Sequence, residues 1–442
     1  MAITAALQTV GWLLGSMVLA AGQPAATPAP ETPVRSVAAP AAATLVNRDQ
    51  VETAGLAVYW QRSIPLEKGE RLTRIERIEE NLYLITQQNR VLTLDAATGV
   101  FRWLTILAQE GIRLLGPTHG PNQVYFASVL GIQGLDRING DLRLDWRSPI
   151  APSSPVASDG RELYFGTIDG RVVSVRQRDV LMSWQFGTDG LVTAEPVLQG
   201  PNLYAVSHMG QVSAAEKRNK TRIWQTKTTG PVQAAPAVGG GHLYVASMDQ
   251  SLWCFDLGTG RTIWRTRMSY PLPNGPHATA KHVYLPVAEH GLFSINPDDG
   301  KIAWHHEDAA AFLAETEDLV WLASLRSSLL GCDKASGEIR REISMSASLY
   351  FSNAEDDAIW MADEDGQVIC LRPRGVGFLR HRKAYEAIGR STPPTTQPAS
   401  RPAGEGFVPA PPPKPPVDYL RRNEAIPPVG GNTPATQPSD GQ

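Results

Sequence analysis

A chain of 442 residues is long enough for one large repeat domain or for two or three ordinary ones. With 41 Lys and Arg against 44 Asp and Glu, its formal net charge of −3 excludes the strongly basic footprint of a nucleic-acid binder. Eleven Trp and eleven Tyr beside 39 Gly suit an all-β chain of short strands joined by tight turns.

Residues 1–22 are predicted to be a signal peptide. The apolar stretch Gly11 to Ala21 is shorter than the roughly 20 residues a membrane span needs, and it ends in small residues suited to cleavage. An uncleaved anchor is the alternative, because no Lys or Arg precedes the stretch. Lipid acylation is not expected, since the first Cys is residue 254. Residues 23–50, rich in Ala, Pro and Thr, read as a disordered linker that cannot bury enough apolar surface to offset its ordering entropy.

From residue 51 a period sets in. Trp60, Trp103, Trp146, Trp184, Trp224, Trp264 and Trp304 follow one another at gaps of 43, 43, 38, 40, 40 and 40. Tyr83, Tyr125, Tyr164, Tyr204, Tyr244 and Tyr284 each stand 20 or 21 residues before one of these Trp, and Trp321 and Trp360 continue the Tyr series. Between the markers the chain alternates apolar and polar residues with period two. Pro117, Pro155, Pro196, Pro236 and Pro276 open a further short strand in five of the copies. Four antiparallel strands in about 40 residues, repeated in tandem, make a propeller blade, because each small sheet must bury its faces against its neighbours. Residues 51–373 are therefore predicted to be an eight-bladed β-propeller. The eighth copy ends at Pro373 without a Trp strand, and the orphan strand around Trp60 completes it. Beyond it, residues 374–390 read as a short basic helix and residues 391–442 as a disordered Pro-rich tail, in which Val417 to Arg422 form an apolar and basic island.

The units Asp95-Ala-Ala-Thr-Gly-Val-Phe-Arg-Trp103 and Asp256-Leu-Gly-Thr-Gly-Arg-Thr-Ile-Trp264 resemble the tryptophan-docking motif of the quinoprotein-like (PQQ-like) propeller family. The resemblance implies that the seven repeat Trp pack between blades against a turn Gly held at positive φ. Val180 and Lys220 replace that Gly in the third and fourth copies, and Arg341 replaces the Trp in the seventh. One branch of the family, the PQQ-dependent dehydrogenases, implies large loop insertions, a disulfide of adjacent cysteines and an axial calcium. None of these shows in this sequence. Repeat gaps of 37 to 43 resemble instead the non-enzymatic branch that includes the propeller of the outer-membrane β-barrel assembly machinery.

Candidate chemistry is sparse. Cys254, Cys332 and Cys370 lack any C-x-x-C spacing and read as buried, unbridged thiols. His305 and His306 are neighbours on one strand and point to opposite faces, so they cannot easily share an ion. His119 and His277 read as solvated loop imidazoles, and Glu355 to Asp357 and Asp363 to Asp365 as solvated turn carboxylates. No catalytic, cofactor-binding or metal-ligating residue is nominated, and no cofactor is expected. The expectation is an exported, non-enzymatic, monomeric scaffold of the periplasm or cell envelope. It would bind a protein partner through its blade-connecting loops, in outer-membrane protein assembly. The alternatives are a PQQ- and calcium-dependent dehydrogenase and a carbohydrate or cell-wall binder.

Overall fold

The structure, a computed structural model, describes residues 44–377. The signal peptide, residues 23–43 of the linker, most of the basic helix and the whole tail lie outside the described residues. Eight four-stranded antiparallel sheets form the blades of a β-propeller. Within each blade the strands are called a to d from the axis outward. Blades 1 to 7 take them in chain order from 72–106, 115–147, 157–187, 197–227, 237–267, 277–306 and 309–344. In blade 8 the first three strands lie within 349–373, and strand d is the N-terminal Leu56–Ser63.

The burial pattern follows from this stacking. Strands b and c are enclosed by neighbouring blades on both faces, so Asn81–Thr86 is buried at every position. Strand d has one covered face, and Phe101–Ile106 buries only Trp103. The core is accordingly a series of layers between blades. One layer sets Leu252 and Cys254 of blade 5 against Leu285 and Ile295 of blade 6.

The repeat indoles lie over the c–d turn of the following blade. Trp60, Trp103, Trp224, Trp264 and Trp304 cover Gly99, Gly140, Gly260, Gly300 and Gly337, so closely that a Cβ on those glycines would stand 2.5–2.7 Å from the ring. In each case the indole N–H donates to the carbonyl three residues before the glycine: Ala96, Arg137, Leu257, Pro297 and Lys334, at 2.8–3.2 Å. Blades 3 and 4 depart from the pattern. Their turns hold Val180 at φ 50° and Lys220 at φ 58°, and Nε1 of Trp184 has no hydrogen-bond partner. A side chain there is strained in the left-handed region, most of all a β-branched one. Val180→Gly and Lys220→Gly are therefore each expected to stabilise the fold by about 1 kcal/mol, read as an upward shift of the thermal midpoint.

The closure of the ring is mixed in sequence origin. Leu56–Ser63 pairs antiparallel with Gln367–Pro373, placing Trp60 opposite Cys370. Towards blade 1, Arg62 donates to the carbonyls of Gly99 and Thr98. Arg77 pairs with Glu355 at 2.9 Å and Asp356 at 3.0 Å and lies over the Trp360 ring. Arg71 pairs with Glu364 at 2.7 Å, and Arg372 with Asp357 at 2.7 Å. Of the carboxylates expected to be solvated, Glu355 is 74% exposed while pairing with Arg77, whereas Asp356 and Asp357 are mostly covered and ion-paired across or beside the seam.

Residues 44–50, expected to end a disordered linker, are packed. Asn47 caps the helix Arg48–Thr53 by accepting from the N–H of Asp49 and Gln50. Leu45, Val46 and Val51 are buried with Trp321, Ile343 and Met345. This segment lies where blade 7 meets blade 8. Blade 8 has no continuous c–d turn, because its strand d arrives from the other end of the chain. A Trp in place of Arg341 would have no turn glycine to cover, and the helix fills that position instead.

Candidate binding face

A propeller has two faces, and here they are unlike. On one lie the a–b and c–d turns with the indole rim. On the other lie the b–c turns and the connectors between blades, tied to each other by backbone bonds such as His208 N–H to Leu191 carbonyl at 2.7 Å and Met248 N–H to Pro231 carbonyl at 2.8 Å. Short connectors and tight turns make this second face rigid.

The tips of the b–c turns change character around the ring. In blades 2, 3 and 4 they expose Val129 and Leu130, then Ile168, then Met209, with Leu191 exposed in the connector leading into blade 4. The same turns hold Gln87 and Gln88 in blade 1, Met248, Asp249 and Gln250 in blade 5, and Asp363 to Asp365 in blade 8, while that of blade 7 exposes a single large apolar side chain, Leu325. Met209 lies against Gly190, where a Cβ would meet its side chain at 2.5 Å. Ion pairs flank the apolar tips, including Lys227 with Asp189 at 2.6 Å and Arg171 with Asp169. Apolar tips on three neighbouring blades with ion pairs beside them have the composition of a protein-docking surface.

The axis is lined differently. Glu76 on strand a of blade 1, Thr118 on strand a of blade 2 and Glu195 at the entry to blade 4 meet across it. Thr118 Oγ1 donates to Glu195 Oε1 at 3.2 Å, and Arg74 pairs with Glu76 at 3.1 Å. Burial pushes the Glu195 carboxyl up to about 8, with Glu76 adding to the shift, and burial pushes Glu76 up to about 7 against the pull of Arg74. A folded-state pKa above the ordinary 4.5 means that the folded chain holds protons which the unfolded chain has lost. Stability therefore falls as pH rises from about 4.5 to about 8. Glu195→Gln is expected to melt with the parent chain at pH 4 and to exceed it at pH 9 by on the order of 2 kcal/mol, in parallel thermal scans.

Between blades 1 and 2 sits a buried polar network. Arg137, in the c–d turn of blade 2, pairs with Glu79 at 2.6 Å and with Glu80, and donates to the Gly120 carbonyl at 3.0 Å. His119 Nε2 is 2.6 Å from Tyr83 Oη, and its Nδ1 stands 3.6 Å from Glu79 Oε2. His119 is buried rather than solvated, and its burial lowers its pKa. His277 is likewise enclosed, stacked on Phe312, and burial pushes it down to about 4. Glu79, Glu80 and His119 bring three potential ligand atoms together, but the Arg137 guanidinium already occupies the carboxylates. The cluster is a salt-bridged joint between blades.

The remaining sequence candidates are dispersed. His305 Nε2 meets the His290 carbonyl at 2.7 Å and its ring stacks on Phe293, whereas His306 Nε2 meets the Gly337 carbonyl at 2.5 Å. The two imidazoles face different neighbours. Cys254, Cys332 and Cys370 are buried and unbridged, each with its thiol pKa pushed up by burial.

A family model described as outer membrane protein assembly factor BamB matches residues 57–233 and 182–375. No curated protein matches the chain. Among solved structures, BamB from Moraxella catarrhalis superposes with a TM-score of 0.58 at 14% identity, covering 72% of this chain and 99% of that one. The computationally designed Ika8 protein superposes with a TM-score of 0.56 at 13% identity, covering 69% of this chain and 96% of that one. At such identities the superpositions show a shared fold alone. No helix among the described residues is long and apolar enough to cross a membrane.

Proposed function

The chain belongs to the propeller family described as outer membrane protein assembly factor BamB, and from that premise we propose that it is a non-enzymatic scaffold of the cell envelope that binds a protein partner. The process named in the family description, assembly of outer-membrane proteins, is the setting this reading adopts. The observation that carries it is the run of apolar turn tips on three consecutive blades, Leu130, Ile168 and Met209, rimmed by ion pairs. A rigid ring displaying variable turns suits this work, because the partner is met by a preformed surface that loses little entropy on binding.

The axis argues against a quinone cofactor. PQQ is a tricarboxylate and needs cationic or hydrogen-bond-donating walls. Here burial raises the pKa of both Glu76 and Glu195, with Glu76 adding to the rise at Glu195, and the nearby Arg74 is committed to Glu76 and to the Gly116 carbonyl at 2.5 Å. These residues do not fit the group. The double variant Ile168→Asp/Met209→Asp is expected to lose at least tenfold in affinity for an envelope partner captured by the parent chain, with its melting temperature unchanged. Titration with PQQ and calcium is expected to give no saturable heat. Saturable cofactor binding, or capture that survives the double substitution, would sink the proposal.

A further inference from the structure

The outer strand of every blade is a sheet edge, with backbone groups free to pair with another chain. Proteins blunt such edges with charge, brevity or cover. The outer strands of blades 2 to 7 each expose a single large apolar side chain, Leu142, Met182, Ile223, Ile263, Ile302 and Ile339, joined in blade 3 by Leu181 just before the strand. Strand d of blade 8 exposes none. Strand d of blade 1, Phe101–Ile106, is different. Phe101 is 53%, Leu104 41% and Ile106 65% exposed, and Val100 just before them is 56% exposed. Its one charged residue, Arg102, is drawn inward onto Asn81 Oδ1 at 2.6 Å and Asp95 Oδ2 at 2.5 Å, leaving the rim without charge.

The backbone register sets which groups are free. Leu107 N–H donates to the Asn89 carbonyl. Antiparallel alternation then turns the N–H and C=O of Thr105 towards the blade and those of Leu104 and Ile106 away from it. We infer that this edge takes up an extended strand from a partner protein, one of alternating apolar residues without charge, added antiparallel or parallel to blade 1 as a fifth strand. The absence of rim charge suits an uncharged strand and would repel none.

A second copy of this chain is the weaker occupant. Self-pairing would bury four exposed apolar side chains from each copy. At about 100 Å² apiece that is roughly 800 Å² in total, short of the ~1,200 Å² of a specific dimer. A partner's strand can run on past Ile106 to the connector after it, where Leu107, Ile112 and Leu114 line a cleft with Leu130 and Ile132.

The inference centres on a sheet edge that shares only Leu130 with the turn face, and the Ile168→Asp/Met209→Asp variant lets the two fail separately. The probe is a blocked, fluorescein-labelled octapeptide of alternating Val and Thr, read by anisotropy against the full chain. Saturable binding is expected. It should weaken at least tenfold when every second peptide nitrogen is methylated, and at least tenfold with Leu104→Lys or Ile106→Lys. Both substitutions are at exposed positions and should leave the thermal melt unchanged. Ile168→Asp/Met209→Asp should leave peptide binding intact whatever becomes of the envelope partner. Equal affinity for the methylated peptide, or undiminished affinity in the Lys variants, would overturn strand addition. Absence of saturable binding would overturn it too, and a concentration-dependent dimer in sedimentation, abolished by Leu104→Lys, would then assign the edge to a second copy.

Discussion

A chain beginning at residue 65 is expected to lose its cooperative thermal transition. The missing segment supplies the outer strand of blade 8 and the helix at the blade 7 seam, and it buries Leu45, Val46, Val51, Leu56, Trp60 and Ile64. At about 1.5–3 kcal/mol for each buried side chain, the lost burial is roughly 10–15 kcal/mol, as large as the whole stability of an ordinary domain. The deletion also bares the strand Gln367–Pro373 as a new apolar edge. Trp60→Ala is the milder form of the same experiment. It removes the indole from Gly99 and its 2.9 Å bond to the Ala96 carbonyl, and is expected to cost about 3–5 kcal/mol. Trp184→Ala should cost less, because Trp184 is only partly buried and its N–H is unpaired. Calorimetry of the three chains checks the order, and a truncated chain with the parent's midpoint would show that the seam does not hold the ring.

The ring could be counted from sequence because each blade repeats the same physical problem at the same spacing. Tyr marks strand b, which is enclosed on both faces, and Trp marks strand d, which must cover the neighbouring turn. Both need large flat side chains at fixed offsets. The closure was legible for the same reason, through a missing Trp at one end and an unclaimed Trp60 at the other. The seam helix was not, because its neighbourhood is dominated by Ala, Pro and Thr. A local signal was nevertheless present in Asn47 as a cap and in Gly55, which takes φ 82° just beyond the helix. The apolar turn tips also carried a signal. Leu130, Ile168 and Met209 stand on three consecutive turns, whereas the turns of blades 1 and 8 hold Gln, Asp or Glu and that of blade 7 exposes a single large apolar side chain, Leu325, and apolar residues in exposed turns call for a reason. Histidine burial had no such marker. Whether the imidazole after an opening proline meets water or a neighbouring blade depends on contacts such as Tyr83 to His119, between residues of different repeats.

The joint between blades 1 and 2 gives the second large effect. Arg137→Met would leave Glu80, which is almost wholly buried, facing Glu79 with no cation between them and the Gly120 carbonyl without its donor. Removing one partner of a buried ion pair costs about 3–5 kcal/mol, because the remaining charge keeps its desolvation penalty and loses its compensation. The double variant Glu80→Gln/Arg137→Met should recover a good part of that loss, since a neutral amide costs far less to bury than a lone carboxylate. A double-mutant cycle by chemical denaturation measures the difference, and additive losses would show that the two side chains do not depend on each other. The network also sets an acid limit. His119 and the Arg137 guanidinium hold the Glu79 carboxyl down to about 2 from an ordinary 4.5, so its contribution is present above about pH 4.5 and is lost as pH falls towards 2. His277, held at about 4, adds to the same limb, because the unfolded chain gains its proton near 6.5 and the folded chain only at lower pH. The axial carboxyls act in the opposite direction, towards alkaline pH. The parent chain should therefore be most stable in mildly acid solution, and Arg137→Met should flatten the fall below pH 4 while leaving the alkaline fall from Glu195 in place.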